Sequence, residues 1–250
     1  MKEAIEILGV KIHPLTMKET VELVEQQYIA EGRPLHLMGV NADKINQCVD
    51  DPTMFQIVNG CEVVNADGAS VVLAGRYLGL NIPERVAGID LMEHLLELSE
   101  EKGYSVYFFG AKEVVVQKML QNFEVKYPKL KVVGYRNGYF KDEELESISL
   151  ELLEKKPQII FVGITSPKKE LIIEHFMKSG INSVFMGVGG SFDVLSGEIP
   201  RAPIWMQKIH LEWFFRVLNE PKRLFKRYFV GNITFIKRVI RYKKQRNEFK

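Results

Sequence analysis

Short apolar runs alternate with longer amphipathic stretches along the first two hundred residues. Six runs are largely apolar and predict strands at 35–40, 61–65, 105–110, 131–135, 158–163 and 183–188. Strands without a polar face are typical of a parallel sheet that is covered on both sides. Because strands and helices alternate, the pattern predicts an α/β fold with a Rossmann-like, mostly parallel sheet and flanking helices.

The stretches between these strands carry the signals that start helices. Thr16 and Glu19 form a capping-box pattern, which predicts a helix that continues to about residue 30. Asp51-Pro52 and Ser166-Pro167 each place a cap residue before a proline at the first helical position. Further helices are predicted at 89–102, 114–127 and 142–155.

The last fifty residues differ from the rest in pattern and in charge. From Pro203 onward the pattern is helical throughout, with breaks expected at Asn219-Glu220-Pro221 and at Gly231-Asn232. Residues 1–200 carry 20 Lys and Arg against 29 Asp and Glu, whereas residues 201–250 carry 14 against 3. A net charge of −9 is thus followed by one of +11. We therefore predict a Rossmann-like domain over 1–202 and a basic helical appendage over 203–250.

The appendage interleaves bulky apolar residues with basic ones. Basic amphipathic helices of this kind are typical of segments that lie on an anionic membrane surface. A helical cap that packs on the sheet, with its basic face in water, accounts for the same pattern, and both interpretations stay open here. Nucleic acid is a weaker third partner, because no recognised binding motif accompanies the charge.

Composition places the chain among globular proteins of a reducing compartment. Of the 250 residues, 46% are hydrophobic and 26% are charged, which excludes disordered and collagen-like classes. Only two cysteines occur, Cys48 and Cys61, which argues against a disulfide framework and a cysteine-based metal site. The first residues lack the pattern of a signal peptide, and no eighteen-residue apolar run occurs. The chain is therefore expected to be cytoplasmic.

Several familiar nucleotide and hydrolase motifs are absent. The sequence has no GxGxxG opening a helix, no GxxxxGK[ST] and no GxSxG, so a dinucleotide oxidoreductase, a P-loop nucleotidase and an α/β-hydrolase are unsupported. Its five histidines lack metal-ligand spacing, and no Asp-x-Asp pair occurs. If a diphosphate binds, arginines and helix N-termini must therefore neutralise it.

Polar residues and glycines follow the predicted strands, at the edge where open parallel sheets bind ligands. Glycine lets a backbone approach a phosphate closely, and helix N-termini supply free N–H groups. These strand ends predict a nucleotide diphosphate as ligand. The residues that we single out at them are Asn41, Asp67, Gly110, Arg136, Gly163, Gly189 and Asp193.

Asp67 directly follows an apolar strand and precedes a helical pattern. Its simplest role is that of an N-cap, and the competing role is a general base that takes a proton from an attacking hydroxyl. Arg85 lies in the PERVAG segment that follows and either holds a phosphate or pairs with a surface acid. Asp193 either caps a turn or binds the base or sugar of the ligand.

Five segments together resemble the WecG/TagA/CpsF family of bacterial glycosyltransferases, over about residues 8–235. The most specific are MGVGGSFDVLSGEIPRAPIWM at 186–206 and LEWFFRVLNEPKRLFKRYFVGNITF at 211–235. VNADGASVVLAGRYLG at 64–79, PERVAGIDL at 83–91 and FVGITSPKKE at 161–170 complete the likeness.

The resemblance implies a glycosyltransferase fold type of its own (GT-E) with a helical C-terminal appendage. It implies inverting transfer from a UDP-sugar, with N-acetylmannosamine, its uronic acid or a related hexose as donor, to a sugar on a polyprenyl diphosphate. It further implies no essential metal or cofactor, a place at the inner face of the plasma membrane, and a role in teichoic acid, common antigen or exopolysaccharide synthesis.

The resemblance also assigns roles to single residues. It places the catalytic base on Asp67, the pocket arginine on Arg85 and the second pocket aspartate on Asp193. It implies that arginines of the appendage reach the diphosphates when the tail closes over the site. Those arginines are Arg216, Arg223 and Arg227.

Two positions depart from the family pattern. Gly39 stands where the family has threonine, and Lys169 replaces a glutamine of the donor or acceptor pocket. Lys169 favours an acidic sugar in that pocket. The departures also motivate an alternative, a non-catalytic UDP-sugar sensor or scaffold on the same fold. Because an unclosed tail exposes apolar surface, self-association into a homo-oligomer is a further expectation.

Overall fold

The computed structural model describes residues 2–208, 211–219 and 221–248. Within these ranges the side chains of Lys208, Lys222, Arg223, Lys226, Arg227, Asn247 and Glu248 are not described.

Six parallel strands form the central sheet, in the order β4-β3-β8-β7-β5-β6. They are β3 (Leu35–Val40), β4 (Val63–Ala66), β5 (Ser105–Gly110), β6 (Lys131–Arg136), β7 (Ile159–Gly163) and β8 (Val184–Gly187). A short antiparallel hairpin of β1 (Ile5–Ile7) and β2 (Val10–Ile12) precedes them. The predicted parallel sheet is confirmed, with strand ends within two residues of the expected ones. The hairpin was not predicted, because three-residue strands are too short to show an alternating pattern.

Helices cover both faces of the sheet. They are α1 (Met17–Val24), α2 (Ala42–Asp50), α3 (Pro52–Gly60), α4 (Ala69–Tyr77), α5 (Gly88–Lys102), α6 (Glu113–Lys126), α7 (Leu145–Lys155), α8 (Lys168–Lys178), α9 (Ser191–Leu195), α10 (Ile204–Lys208), α11 (Glu212–Asn219), α12 (Pro221–Phe225) and α13 (Gly231–Glu248). The Thr16 capping box and the Asp51 cap are both present, as predicted. A π-helical turn, Lys226–Val230, joins α12 to α13, so the break predicted at Gly231-Asn232 is wrong.

The predicted helix start at Ser166-Pro167 is also wrong. Helix α8 begins at Lys168 and its N-cap position is Pro167. The Ser166 hydroxyl is used elsewhere, because it accepts a hydrogen bond from Lys44 Nζ at 2.5 Å and donates one to Gln47 Oε1 at 3.0 Å. The loop between β7 and α8 is thereby attached to α2.

Alternate residues of β3 belong to opposite faces of the sheet. Leu37 packs with Phe192 of α9 in one apolar cluster, whereas Met38 and Val40 pack with Ile45 of α2 in another. The segments that follow the neighbouring strands β3 and β8 thus leave toward opposite faces. Such a divergence opens a crevice at the carboxyl ends of the strands, where open α/β sheets bind ligands.

One face of α13 is part of the folded body. Phe235 and Val239 are buried in the apolar cluster that contains Ile45. Arg238 donates to Asp50 Oδ1 at 2.5 Å, and Lys243 Nζ lies 3.9 Å from the centre of the Tyr77 ring. This face of the appendage is the packed cap that one sequence interpretation anticipated. The predicted division at 202/203 stays a prediction.

In the part of the chain that the structure describes, no helix is both long enough and apolar enough to cross a bilayer.

Candidate active site

Asp67 lies in the crevice, immediately after β4. Its N–H donates to Val40 O at 2.9 Å, which draws it over the end of β3. A Cβ added to Gly39 would lie 3.3 Å from Asp67 Cβ. Gly39 is the exposed residue of an otherwise buried strand, so the surface opens beside Asp67.

The Asp67 carboxylate accepts a hydrogen bond from α5 and not from α4, the helix that directly follows it. Its Oδ1 accepts from the Gly88 N–H, in the first turn of α5, at 3.1 Å. The N-cap of α4 is Gly68 and no side chain caps that helix, so the capping role for Asp67 at α4 is wrong. Burial raises the pKa of Asp67, against the nearby Arg85 guanidinium and the Gly88 N–H, which lower it. A carboxylate with a raised pKa is a better proton acceptor.

Arg85 connects Asp67 to the appendage. Its Nε donates to the main-chain oxygen of Asp67 at 2.8 Å, and its Nη2 donates to Glu212 Oε2 at 3.0 Å. Both side chains of the Arg85–Glu212 pair are more than four-fifths buried. Glu212 is the first residue of α11. It is not among the residues predicted from the sequence, because an acidic residue at a helix start is common and does not indicate a contact with a distant arginine.

Arg216 follows Glu212 by one helical turn and reaches the β8 loop. Its Nη2 and Asp193 Oδ2 lie 3.0 and 3.5 Å from where a Cβ on Gly190 would be. Arg216 Nε is buried and has no hydrogen-bond partner among the described residues. Asp67, Arg85, Asp193 and Arg216, four of the residues predicted from the sequence, therefore surround one crevice.

Gly189 lies in the same loop, directly before Gly190. Its φ of +52° is in the left-handed region that favours glycine. No described atom lies within 4 Å of the position that a Cβ would take there, so the backbone of this loop faces open space.

Lys169 belongs to a second, buried cluster on the other face of β3 and β8. Its Nζ lies 2.8 Å from Glu170 Oε1, and Lys44 Nζ lies 2.7 Å from the same oxygen. Although burial alone would raise it, Lys169 and Lys44 lower the pKa of Glu170 to about 2. Burial lowers the pKa of the adjacent His36 to about 4, so this histidine is neutral near pH 7. Two ammonium groups therefore share one carboxylate.

Gly110 and Gly163 are held together by backbone packing. A Cβ on Gly110, whose φ is +138°, would lie 2.5 Å from the Gly163 carbonyl carbon. A Cβ on Gly163 would lie 2.6 Å from the Phe192 ring. These contacts explain both glycines by close packing, and their ligand-binding role stays a prediction.

Arg136 lies at the opposite edge of the sheet from Asp67. It ends β6, five strands from β4, which corresponds to roughly 24 Å. Its Nη2 pairs with Glu144 Oε1 at 2.9 Å. Arg136 and Asp67 both follow predicted strands in the sequence, but the strand order places them far apart.

Asn41 lies between the two clusters and caps α2. Its Oδ1 accepts from the Lys44 N–H at 3.0 Å, so Asn41 has a structural role beside the predicted binding role. The predicted site side chains of Arg223 and Arg227 lie outside the described residues. In the described part of the chain, no group of three or more His, Cys, Asp or Glu side chains is placed to hold a metal ion.

Known proteins resemble this chain over nearly its whole length. A family profile described as "Glycosyl transferase WecG/TagA/CpsF family" matches residues 5–249. An N-acetylglucosaminyldiphosphoundecaprenol N-acetyl-beta-D-mannosaminyltransferase of Bacillus subtilis (strain 168) is 30% identical over 203 residues, which cover 81% of this chain and 78% of that protein. The protein of the same name from Bacillus spizizenii is 28% identical over 203 residues, with the same coverage.

Proposed function

Because this chain belongs to the WecG/TagA/CpsF family and is a glycosyltransferase, we propose that it moves a sugar from a UDP-sugar to a polyprenyl-diphosphate-linked sugar. The names of the two Bacillus relatives make N-acetylmannosamine the first donor sugar to test and N-acetylglucosaminyl-diphosphoundecaprenol the first acceptor. The observation that carries the proposal is the Asp67 carboxylate, which lies beside Arg85 and Arg216 in the crevice of the sheet.

The proposed reaction is a single displacement at the anomeric carbon. Asp67 accepts the proton of the acceptor hydroxyl while that oxygen forms the new glycosidic bond. The bond from the anomeric carbon to the diphosphate breaks on the opposite face, so the configuration inverts and UDP leaves. Asp67 Oδ1 is held by the Gly88 N–H, which leaves Oδ2, on the side of Gly39 and Gly88, to take the proton.

The described charges around Asp67 do not by themselves neutralise a donor diphosphate. Asp67, Asp193 and Glu212 contribute three negative charges near two guanidinium groups, those of Arg85 and Arg216. These described groups sum to −1, so a diphosphate requires further cations. We propose that Arg223 and Arg227 supply them when the appendage closes over the donor, together with the helix N-termini at the crevice.

UDP release tests this function directly. The full chain is mixed with a panel of UDP-sugars and N-acetylglucosaminyl-diphosphoundecaprenol, with and without EDTA. We expect release with one donor, dependent on the lipid acceptor and insensitive to EDTA. UDP binding in calorimetry without release from any donor would instead support the sensor or scaffold.

Lys169 is proposed to bias the choice of donor toward an acidic sugar. Its ammonium shares Glu170 with Lys44, so the buried cluster has a surplus positive charge. A hydrogen bond to a charged group contributes about 1.5–3 kcal/mol. In Lys169→Gln we therefore expect the ratio of kcat/KM for the N-acetylmannosaminuronate donor to that for the N-acetylmannosamine donor to fall at least about tenfold.

The adjacent lysine provides the matched control. Lys168 is exposed and lies over the Phe140 ring at 4.4 Å, so Lys168→Gln removes the same charge outside the cluster. An equal loss with both donors in Lys169→Gln would place Lys169 at a group that the donors share, such as the diphosphate. That result, or an unchanged ratio, would contradict the proposed preference.

We also propose that the appendage lies on the anionic inner face of the plasma membrane. An apolar stripe, at helical spacing along the outer side of the last helices, is exposed: Phe225, Phe229, Ile233, Ile236 and Ile240. The exposed basic residues Lys237, Arg241 and Lys244 run beside it. Apolar side chains flanked by basic ones are what an interfacial helix presents to anionic lipid.

Helix α11 links this surface to the site. Glu212 and Arg216 face the crevice, whereas Phe214 and Leu218 are exposed. Val217 of α11 is buried, but two exposed apolar side chains on a helix whose charged side chains point inward are opposite to the arrangement expected in water. A lipid surface would cover the outer face, and the same helix would then hold Arg216 over the donor as a lid.

A further inference from the structure

Arg85 bridges Glu212 and the proposed base, Asp67. We infer that Glu212 is a positioning residue, which pairs with Arg85 and thereby keeps that guanidinium off the Asp67 carboxylate. The inference rests on the proposed function, because it assumes that Asp67 is the base.

Arg85 is close to Asp67 yet does not bind its carboxylate. Its Nε donates to the main-chain oxygen of Asp67 at 2.8 Å, and its Nη2 is 3.0 Å from Glu212 Oε2. In the described part of the chain the carboxylate itself accepts one hydrogen bond, from the Gly88 N–H. The strongest donor near the base is therefore directed to a different acid.

This arrangement matters because a guanidinium on a carboxylate makes that carboxylate a weak base. An opposite charge within about 4–6 Å lowers a carboxyl pKa by roughly 1–3 units. If Glu212 loses its charge, the Asp67 carboxylate becomes the nearest anion that can attract Arg85. The released guanidinium would then stabilise ionised Asp67 and reduce its tendency to take a proton.

The other charged groups that face Asp67 define what the test must hold constant. Glu212 and Arg216 reach it from α11, and Arg85 reaches it from the loop before α5. Asp193 of α9 is near Arg216 at the Gly190 loop. Replacement of Glu212 by glutamine preserves size and an acceptor oxygen, and it leaves these other groups in place.

The pH dependence of transfer separates this role from a purely structural one. A general base is active when deprotonated, so activity is lost as the pH falls through its pKa. In Glu212→Gln we expect the acidic limb of the kcat/KM profile to move to lower pH. We expect kcat near pH 7 to fall roughly tenfold. This loss is smaller than the total rate enhancement of about 10²–10⁴-fold that a general base contributes, because Asp67 is still present. KM for the donor should change little.

Two further variants and one direct measurement complete the test. Glu212→Asp retains the charge, so its acidic limb should remain at the wild-type pH. Glu198→Gln removes an equal charge from an exposed pair with Lys118 and should leave the profile unchanged. Carbon-13 NMR titration of the Asp67 carboxyl, assigned with Asp67→Asn, should show a lower pKa in Glu212→Gln.

An unchanged acidic limb and an unchanged Asp67 titration in folded Glu212→Gln would overturn the inference. If Glu212→Gln does not fold, the test uses Glu212→Asp. Because this variant retains the negative charge, a shift of its acidic limb would contradict the positioning role of Glu212. An active Asp67→Asn enzyme would have a separate meaning, because it would refute the proposed base and not the Arg85–Glu212 pairing.

Discussion

Asp67→Asn is expected to lower kcat at least about 100-fold while the chain stays folded and still binds UDP. Asparagine has the same shape and retains an oxygen that can accept the Gly88 N–H, so the local backbone should not move. It cannot take a proton from the acceptor hydroxyl, and general-base catalysis contributes about 10²–10⁴-fold. Steady-state UDP release with saturating donor and lipid acceptor measures the effect.

Stability measurements separate lost chemistry from lost structure in this variant. Because burial raises the pKa of Asp67 above its ordinary value of 3.8, keeping it ionised near pH 7 costs free energy of folding. Asparagine removes that cost, so the urea midpoint of Asp67→Asn should be no lower than that of the wild type. Asp142→Asn, which changes an exposed aspartate, is the matched control and should retain full turnover. Near-normal kcat in a folded Asp67→Asn protein would refute the base assignment.

The parallel sheet could be predicted because strands that are buried on both faces have nearly continuous apolar sequences. Apart from Ser105, the runs at β5 and β7 lack polar residues other than Tyr107, and the structure buries Phe108 and Phe161 completely. The polar residue that follows an apolar strand can also be recognised in the sequence, which is why Asp67 could be named. Strand order is not encoded in such local patterns, so Arg136 could not be separated from Asp67 without the structure.

Contacts between distant segments were the other feature that sequence patterns could not indicate. Glu212 lies 127 residues from Arg85, and nothing in either segment marks the other as its partner. Lys169 could be named as a departure from a family pattern, but its shared pairing with Lys44 depends on how α2 and α8 start side by side. The sequence thus predicted residue types at the crevice, whereas the ion pairs that tune them required the fold.

The two sides of the appendage differ, so the packed-cap interpretation describes one side, whereas the membrane interpretation stays a prediction for the other. Phe235 and Val239 complete an apolar cluster of the body, while Ile233 and Ile236 remain exposed on the other side. Deleting the whole appendage would therefore uncover core surface as well as remove the proposed membrane contact. Substitutions confined to the exposed stripe test the contact without disturbing the core.

The triple variant Phe229→Ser, Ile233→Ser and Ile236→Ser is expected to lose binding to vesicles that contain phosphatidylglycerol. Full burial of such a side chain contributes about 1.5–3 kcal/mol, and each of the three is about half exposed. Together they should contribute about 3 kcal/mol, so partitioning in a flotation assay should fall roughly 100-fold. UDP affinity in calorimetry should change far less, because none of the three lies at the crevice.

The chain offers a control with the same loss of apolar surface elsewhere. Val114, Val125 and Leu150 are exposed on α6 and α7, and their replacement by serine should leave vesicle binding intact. Neutral phosphatidylcholine vesicles should bind the wild type more weakly, since each Lys or Arg near an anionic leaflet contributes about 1 kcal/mol. Equal losses in the two triple variants would contradict a specific membrane face. The wild type could instead fail to bind vesicles and sediment as an oligomer that the triple variant at 229, 233 and 236 dissociates. In that case the stripe joins copies of this chain, and protein instead of lipid covers α11.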